Sequence, residues 1–103
     1  MAQASRLKLQ TTLEELLGMK HVYYQPPASI KMEYPAIVYS RKKIDKKVAN
    51  NAAYLLTNCY EIIVIDKKPD NPVIEKLLAL PMCSYDRSYK SDNLNHDVLT
   101  LYF

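Results

Sequence analysis

Pro81-Met82-Cys83-Ser84-Tyr85-Asp86-Arg87-Ser88-Tyr89-Lys90-Ser91-Asp92-Asn93-Leu94-Asn95-His96-Asp97-Val98-Leu99-Thr100-Leu101-Tyr102-Phe103, the last quarter of the chain, has the pattern of a strand, a polar turn and a second strand. Its first half sets Cys83, Tyr85, Arg87 and Tyr89 against Met82, Ser84, Asp86 and Ser88. Its second half sets Val98, Thr100 and Tyr102 against Leu99, Leu101 and Phe103. A repeat of two is what paired strands require, because successive side chains leave opposite faces of a sheet. Between the halves lies a run of Ser, Asp and Asn, whose short polar side chains bond to nearby backbone and stabilise turns. The last strand reaches an aromatic residue with no polar tail, so it is expected to be tied into a sheet.

Upstream, Tyr34-Pro35-Ala36-Ile37-Val38-Tyr39-Ser40 predicts a strand that starts just after a proline, as strands often do. The alternation continues through Arg41-Lys42-Lys43-Ile44-Asp45-Lys46-Lys47-Val48 while the residues become charged, and Ala49-Asn50-Asn51-Ala52-Ala53 supplies a turn. The strand after it, residues 54–66, contains the apolar run Tyr60-Glu61-Ile62-Ile63-Val64-Ile65. Together they predict a long hairpin whose base lies in a sheet and whose basic tip projects beyond it.

Residues 5–17 place Leu9, Leu13, Leu16 and Leu17 on one stripe of a helix, with Ser5 as N-cap and Gly18 as the left-handed residue that ends it. Glu14 and Glu15 are expected on its solvated side. His21-Val22-Tyr23-Tyr24 is a short edge strand, and Gln25-Pro26-Pro27-Ala28-Ser29 then forbids both helix and ladder. After the turn residues 66–70, Asn71 as N-cap and Pro72 at the first helical position announce a second helix. Val73, Ile74, Leu77, Leu78 and Leu80 form its apolar face, and Pro81 stops it. The order is helix, weak strand, two long strands, short helix, two strands. Its simplest packing is an α+β sandwich: an antiparallel sheet of four to five strands with two helices on one face.

A chain of 103 residues, 49% hydrophobic and 24% charged, is expected to form one domain, residues 1–103, around one core. One glycine leaves no material for a phosphate-cradling loop, whereas nine tyrosines supply amphipathic rings suited to contact surfaces. The net charge of +3 is far from that of a dedicated nucleic-acid binder. Its distribution is uneven: Arg41, Lys42, Lys43, Lys46 and Lys47 fall within seven positions, and Lys67 and Lys68 form a smaller group. The chain begins Met-Ala-Gln-Ala-Ser without an apolar leader, so a reducing cytosol with Cys59 and Cys83 as free thiols is the expectation. No apolar run approaches the roughly 20 residues that cross a bilayer, and no membrane partner is expected.

Chemistry is thinly represented. Ser84, Asp86, His96 and Asp97, or Cys83 with His96, contain the residue types of a nucleophile, base and orienting acid, yet nothing in their spacing selects the required geometry. There is neither a glycine-bearing nucleophile elbow nor a glycine-rich oxyanion loop, so an enzyme is not expected. Asp86 and Arg87 are read instead as cross-strand or intersubunit pairs. His21, His96, Cys59 and Cys83 stand singly, unlike the closely spaced ligands of structural zinc sites, so no metal or other cofactor is expected and His21 is taken as structural or exposed. The basic tip has two readings: an edge kept soluble by lysines, or an arm that reaches an acidic partner or the phosphates of nucleic acid. Base-specific recognition has no support, since neither a recognition helix nor zinc-finger spacing is present.

The N-terminal helix, Tyr34-Pro35-Ala36-Ile37-Val38-Tyr39, Tyr60-Glu61-Ile62-Ile63-Val64-Ile65-Asp66, the Asn-Pro helix, and Tyr85-Asp86-Arg87-Ser88-Tyr89 leading to Asp92-Asn93-Leu94-Asn95-His96 together resemble the tail terminator, or tail completion, family of long-tailed bacteriophages and prophages. The resemblance implies an α+β subunit of a hexameric ring that caps the tail tube, ends its polymerisation and offers a surface to the head connector. Its implied partners are further copies of the chain, the tail tube protein, the head-tail connector protein, and DNA passing through the lumen without sequence specificity. Its implied location is the virion neck, after assembly in the host cytoplasm. The hairpin residues Arg41, Lys42, Lys43, Lys46 and Lys47 would then rim or line the channel or reach a neighbour. Tyr85, Arg87 and Tyr89 are candidates for one side of a subunit contact, being residue types enriched in interfaces. Two alternatives stand beside this reading: another neck protein, such as a head completion protein or stopper, and a small nucleic-acid-binding module.

Overall fold

The computed structural model describes residues 2–49 and 52–103, with side chains described for residues 6–44 and 57–103. The elements follow in the order α1 (Ala2–Leu17), β1 (Val22–Tyr24), β2 (Ala36–Ala49), β3 (Ala52–Asp66), α2 (Val73–Leu78), β4 (Cys83–Ser91) and β5 (Leu94–Tyr102). The five strands form one sheet in the order β1-β2-β3-β5-β4.

The α+β class and the element order are as the sequence predicts, but the sheet is mixed. β2, β3, β5 and β4 are antiparallel neighbours, whereas β1 runs parallel to β2, with Val22 opposite Ile37 and Tyr24 opposite Tyr39. A parallel pair needs a connection long enough to carry the chain back to the starting end, and the proline-bearing segment 25–35 supplies it.

Register assigns the faces. Ile37 and Tyr39 of β2, Tyr60, Ile62 and Val64 of β3, and Leu99 and Leu101 of β5 stand on one face, and they form the core with Leu9 and Leu13 of α1 and Val73 and Leu77 of α2. Each of these leucines contributes about 1.5–3 kcal/mol by leaving water. Leu16, Leu17, Ile74 and Leu80 pack at the margin of this core, while Leu78, expected on the apolar face of α2, stays exposed. α1 begins before Ser5, so Ser5 lies inside the helix rather than at its cap. Gly18 ends α1 as expected: its φ is 79° and its N–H donates to the Glu14 carbonyl at 2.9 Å. Asn71 caps α2 from one residue further out than a regular N-cap, its side-chain oxygen accepting the Val73 N–H at 2.9 Å.

The β4–β5 hairpin closes on Asp92 and Asn93, both at positive φ (52° and 63°), between the paired residues Ser91 and Leu94. Two central residues at positive φ match the twist of the flanking strands, and Asp and Asn tolerate that backbone best after glycine. The polar cluster predicted as a turn is therefore one.

Candidate functional site

The most distinctive feature is the upper part of the β2–β3 hairpin. β3 pairs with β5 only over Cys59–Asp66, and β1 reaches β2 only as far as Tyr39. From the Ile44–Asn58 pair to the Ala49–Ala52 pair, β2 and β3 therefore have, among the described residues, only each other, apart from the Phe103 N–H that donates to the Asn58 carbonyl. At about 3.3 Å per residue this arm projects roughly 20 Å. The molecule accordingly measures 51 × 26 × 23 Å, and its radius of gyration of 14.7 Å exceeds the ~13 Å of a compact chain of this size. Asn50 and Asn51, expected in the turn, lie outside the described residues.

Residues 41–58 hold five basic residues and one acidic one, a charge of +4 on a chain whose total is +3, so the remainder is slightly acidic at −1. The five basic residues are not equivalent. Arg41 stands opposite Tyr60 at the root of the arm, its backbone N–H donating to the Gln25 side-chain oxygen at 3.3 Å. Between the pairs Arg41–Tyr60 and Lys43–Cys59 the register shifts, leaving Lys42 as an extra residue in β2. Such a bulge turns the following residues to the other face and sharpens the twist. Lys42 and Lys43 are exposed, and the Lys43 ammonium lies 6.0 Å from the centre of the Tyr102 ring. Lys46 and Lys47 hold the register positions opposite Leu56 and Leu55, and their side chains lie outside the described ones.

The root is unusually polar for a buried place. Arg41 Nε, Asn58 Oδ1 and the Tyr60 hydroxyl are buried without a hydrogen-bond partner. Nearby, Tyr39 donates its hydroxyl proton to Gln10 Oε1, and Gln10 Nε2 donates to the Val22 carbonyl at 3.0 Å and to Glu14 at 3.1 Å. Glu14 is thus engaged with Gln10, beyond the solvated role expected for it. Burial, chiefly, pushes the Tyr39 hydroxyl pKa above its ordinary value. The Arg6 guanidinium sits 4.5 Å above the centre of the Tyr24 ring, which in turn packs 4.9 Å from Tyr39. No periodicity in the sequence signals these Arg6, Gln10 and Tyr39 links, because they join α1 to strands far along the chain.

At the margin of the sheet away from β1, β4 is exposed along nearly its whole length. Besides the shifts at Arg41/Lys43 and Lys47/Val48 in the arm, a third register shift, between Tyr85–Leu99 and Arg87–Val98, makes Asp86 an extra residue. Tyr85 therefore shares the helix-covered face with Leu99, and its hydroxyl donates to Asp97 Oδ1 at 2.7 Å. Arg87 and Tyr89 share the other face, where Tyr89 stacks on His96 at 4.7 Å. The three residues that simple alternation puts on one side are divided two to one. Asp86 and Arg87 pair with each other at 2.8 Å.

Register also separates the groups of the nucleophile reading. Ser84 stands opposite Thr100 and His96 opposite Tyr89, about 13 Å apart along β5 at ordinary strand rise. Cys83 pairs with Leu101 on the helix-covered face, whereas His96 faces the other way. Cys59 and Cys83 are both free thiols on opposite faces of the sheet. His21, which sequence spacing left without a carboxylate, meets Glu33 at 3.0 Å through Nε2 and the Pro35 carbonyl at 3.2 Å through Nδ1, an arrangement that fastens the 25–35 connection to β1. Among the described residues, no group of three or more His, Cys, Asp and Glu could hold a metal ion, and no helix is long and apolar enough to cross a membrane.

Comparison with protein-family models, with curated proteins and with solved structures returns no match.

Proposed function

We propose that this chain is a structural assembly subunit that forms a ring and acts as a tail-terminator-type cap on a bacteriophage tail tube. The observation that carries the reading is the basic two-stranded arm standing out from a small α+β body. An isolated pair of strands is at best marginally stable in water, and an arm of this kind gains cover when a neighbouring molecule packs on it. A closed ring also needs two different patches on each subunit, and here the arm rises from the inner strands β2 and β3 while the exposed β4 forms a separate margin of the sheet. A basic element repeated around a ring would place positive charge near any DNA in the lumen. The purified protein should give rings by light scattering and negative-stain electron microscopy, and should cap tail tubes when mixed with them. A strict monomer that leaves tube ends free would overturn this reading.

A second reading is favoured by the same +4 charge on residues 41–58: a small module that binds nucleic acid through phosphates. If five phosphates are met by Arg41, Lys42, Lys43, Lys46 and Lys47, neutralising all five should flatten the slope of log K against log salt by about 4–5. Unchanged slope, or no binding by the wild-type protein, removes it.

A further inference from the structure

The arm has two outer edges, and their chemistry differs. The β2 edge carries Lys42, Lys43, Lys46 and Lys47, the charges by which natural sheets keep an open edge from recruiting strands. The β3 edge over residues 52–58 reads Ala-Ala-Tyr-Leu-Leu-Thr-Asn, without a charge, a proline or a glycine. That composition suits strand addition and lacks protective charges and prolines; the register shift between the Lys47–Leu55 and Val48–Ala53 pairs, which leaves Tyr54 as an extra residue, is the one irregularity along it. In the lower sheet this same edge of β3 is occupied by β5, which ends with Phe103 donating its N–H to the Asn58 carbonyl at 3.0 Å. An incoming strand would sit in line with β5 and extend the sheet up the arm.

We propose that residues 52–58 of β3 receive the exposed edge of β4, residues 83–91, from a second copy of this chain. Edge accounting selects β4. The outer edge of β1 spans three residues, too few to cover the arm, whereas β4 offers nine. Charge disfavours arm against arm, which would bring two segments of +4 together, whereas β4 holds one acidic and two basic residues and carries only +1. One contact of this kind satisfies both open edges at once, and repeated by rotation it closes a ring. Tyr85 and Tyr89, 44% and 41% exposed, are available for cross-strand pairs with the receiving Tyr-Leu-Leu segment. The inference takes from the proposed function only that the partner is another copy.

Amide hydrogen exchange across a protein concentration series tests it. Exchange in segments 52–58 and 83–91 should slow together, by at least about ten-fold, as assemblies form. The double variant Leu55→Lys, Leu56→Lys should raise the concentration for half-assembly by at least about ten-fold with its circular dichroism and the monomer's unfolding midpoint unchanged. If that variant misfolds, Tyr89→Lys on β4 provides the same test from the partner side. Assemblies that protect other segments, or that form equally well in the lysine variants, overturn strand addition while leaving the ring reading standing. A protein monomeric at every concentration overturns both, and protection of 52–58 that requires a different protein overturns the choice of a second copy.

Discussion

Tyr39 shows how much one buried hydroxyl can organise. It lies beneath α1, fully buried, and its proton goes to Gln10, the same residue that holds β1 through the Val22 carbonyl. Tyr39→Phe removes the donor and leaves Gln10 Oε1 unsatisfied, which should cost about 1–2 kcal/mol in urea unfolding. The pH dependence follows from the same burial. The folded chain holds this proton above its ordinary value of 10.0, so the unfolded chain releases it first. The stability Tyr39 contributes is whole below that pH and is lost as pH rises through the raised value. Urea melts at about pH 8 and about pH 11 should therefore show a smaller alkaline loss in Tyr39→Phe than in the wild type. Cys83 behaves similarly, since burial against Leu101 pushes its thiol up. At about pH 8 its reaction with a disulfide reagent should be slower than that of a free cysteine in a peptide, because less thiolate is present.

At the scale of elements, the contrast lies between parts that share the core and the part that leaves it. α1 is pinned by Leu9 and Leu13, both fully buried, and Leu13→Ala should lower stability by about 3 kcal/mol through lost burial and the cavity left behind. Among the described residues, the arm beyond Asp45 and Thr57 pairs only with itself. Replacing residues 46–56 by Asn-Gly, a two-residue turn suited to a hairpin, should therefore change unfolding stability by no more than about 1 kcal/mol while abolishing assembly. A large loss of stability would show that the arm packs back on the body. The bulges are elements of the same argument. Lys42 and Asp86 each add one residue to one strand, and each reverses the faces of everything beyond it.

The whole molecule is a two-layer sandwich with helices on one face only. On the other face Ala36, Cys59, Ile65 and Val98 are buried and Val38 and Ile63 half-buried, although no described helix lies over it. The projecting arm and the open β4 edge leave surfaces that suit contact with further molecules. Light scattering of the arm-replaced chain beside the wild type is the measurement at this scale: the wild type should assemble and the replaced chain should remain single.

Local pattern alone determined the element list, because period-two and helical repeats, Gly18, Asn71-Pro72 and the Asp92-Asn93 turn act over a few residues. The basic arm was legible for the same reason: charges crowded onto a strand that continues past its apolar part. One bulge even left a trace, since the apolar positions of β2 pass from odd numbers at Ile37 and Tyr39 to an even one at Ile44. Asp86 left none, because β4 has too few apolar residues to betray a change of face. The parallel direction of β1, the Arg6, Gln10 and Tyr39 links, the unpartnered polar atoms beside Arg41 and the division of Tyr85 from Arg87 and Tyr89 belong to the tertiary structure. They depend on which distant segments meet and in what register, and side-chain spacing within one segment carries no information about either.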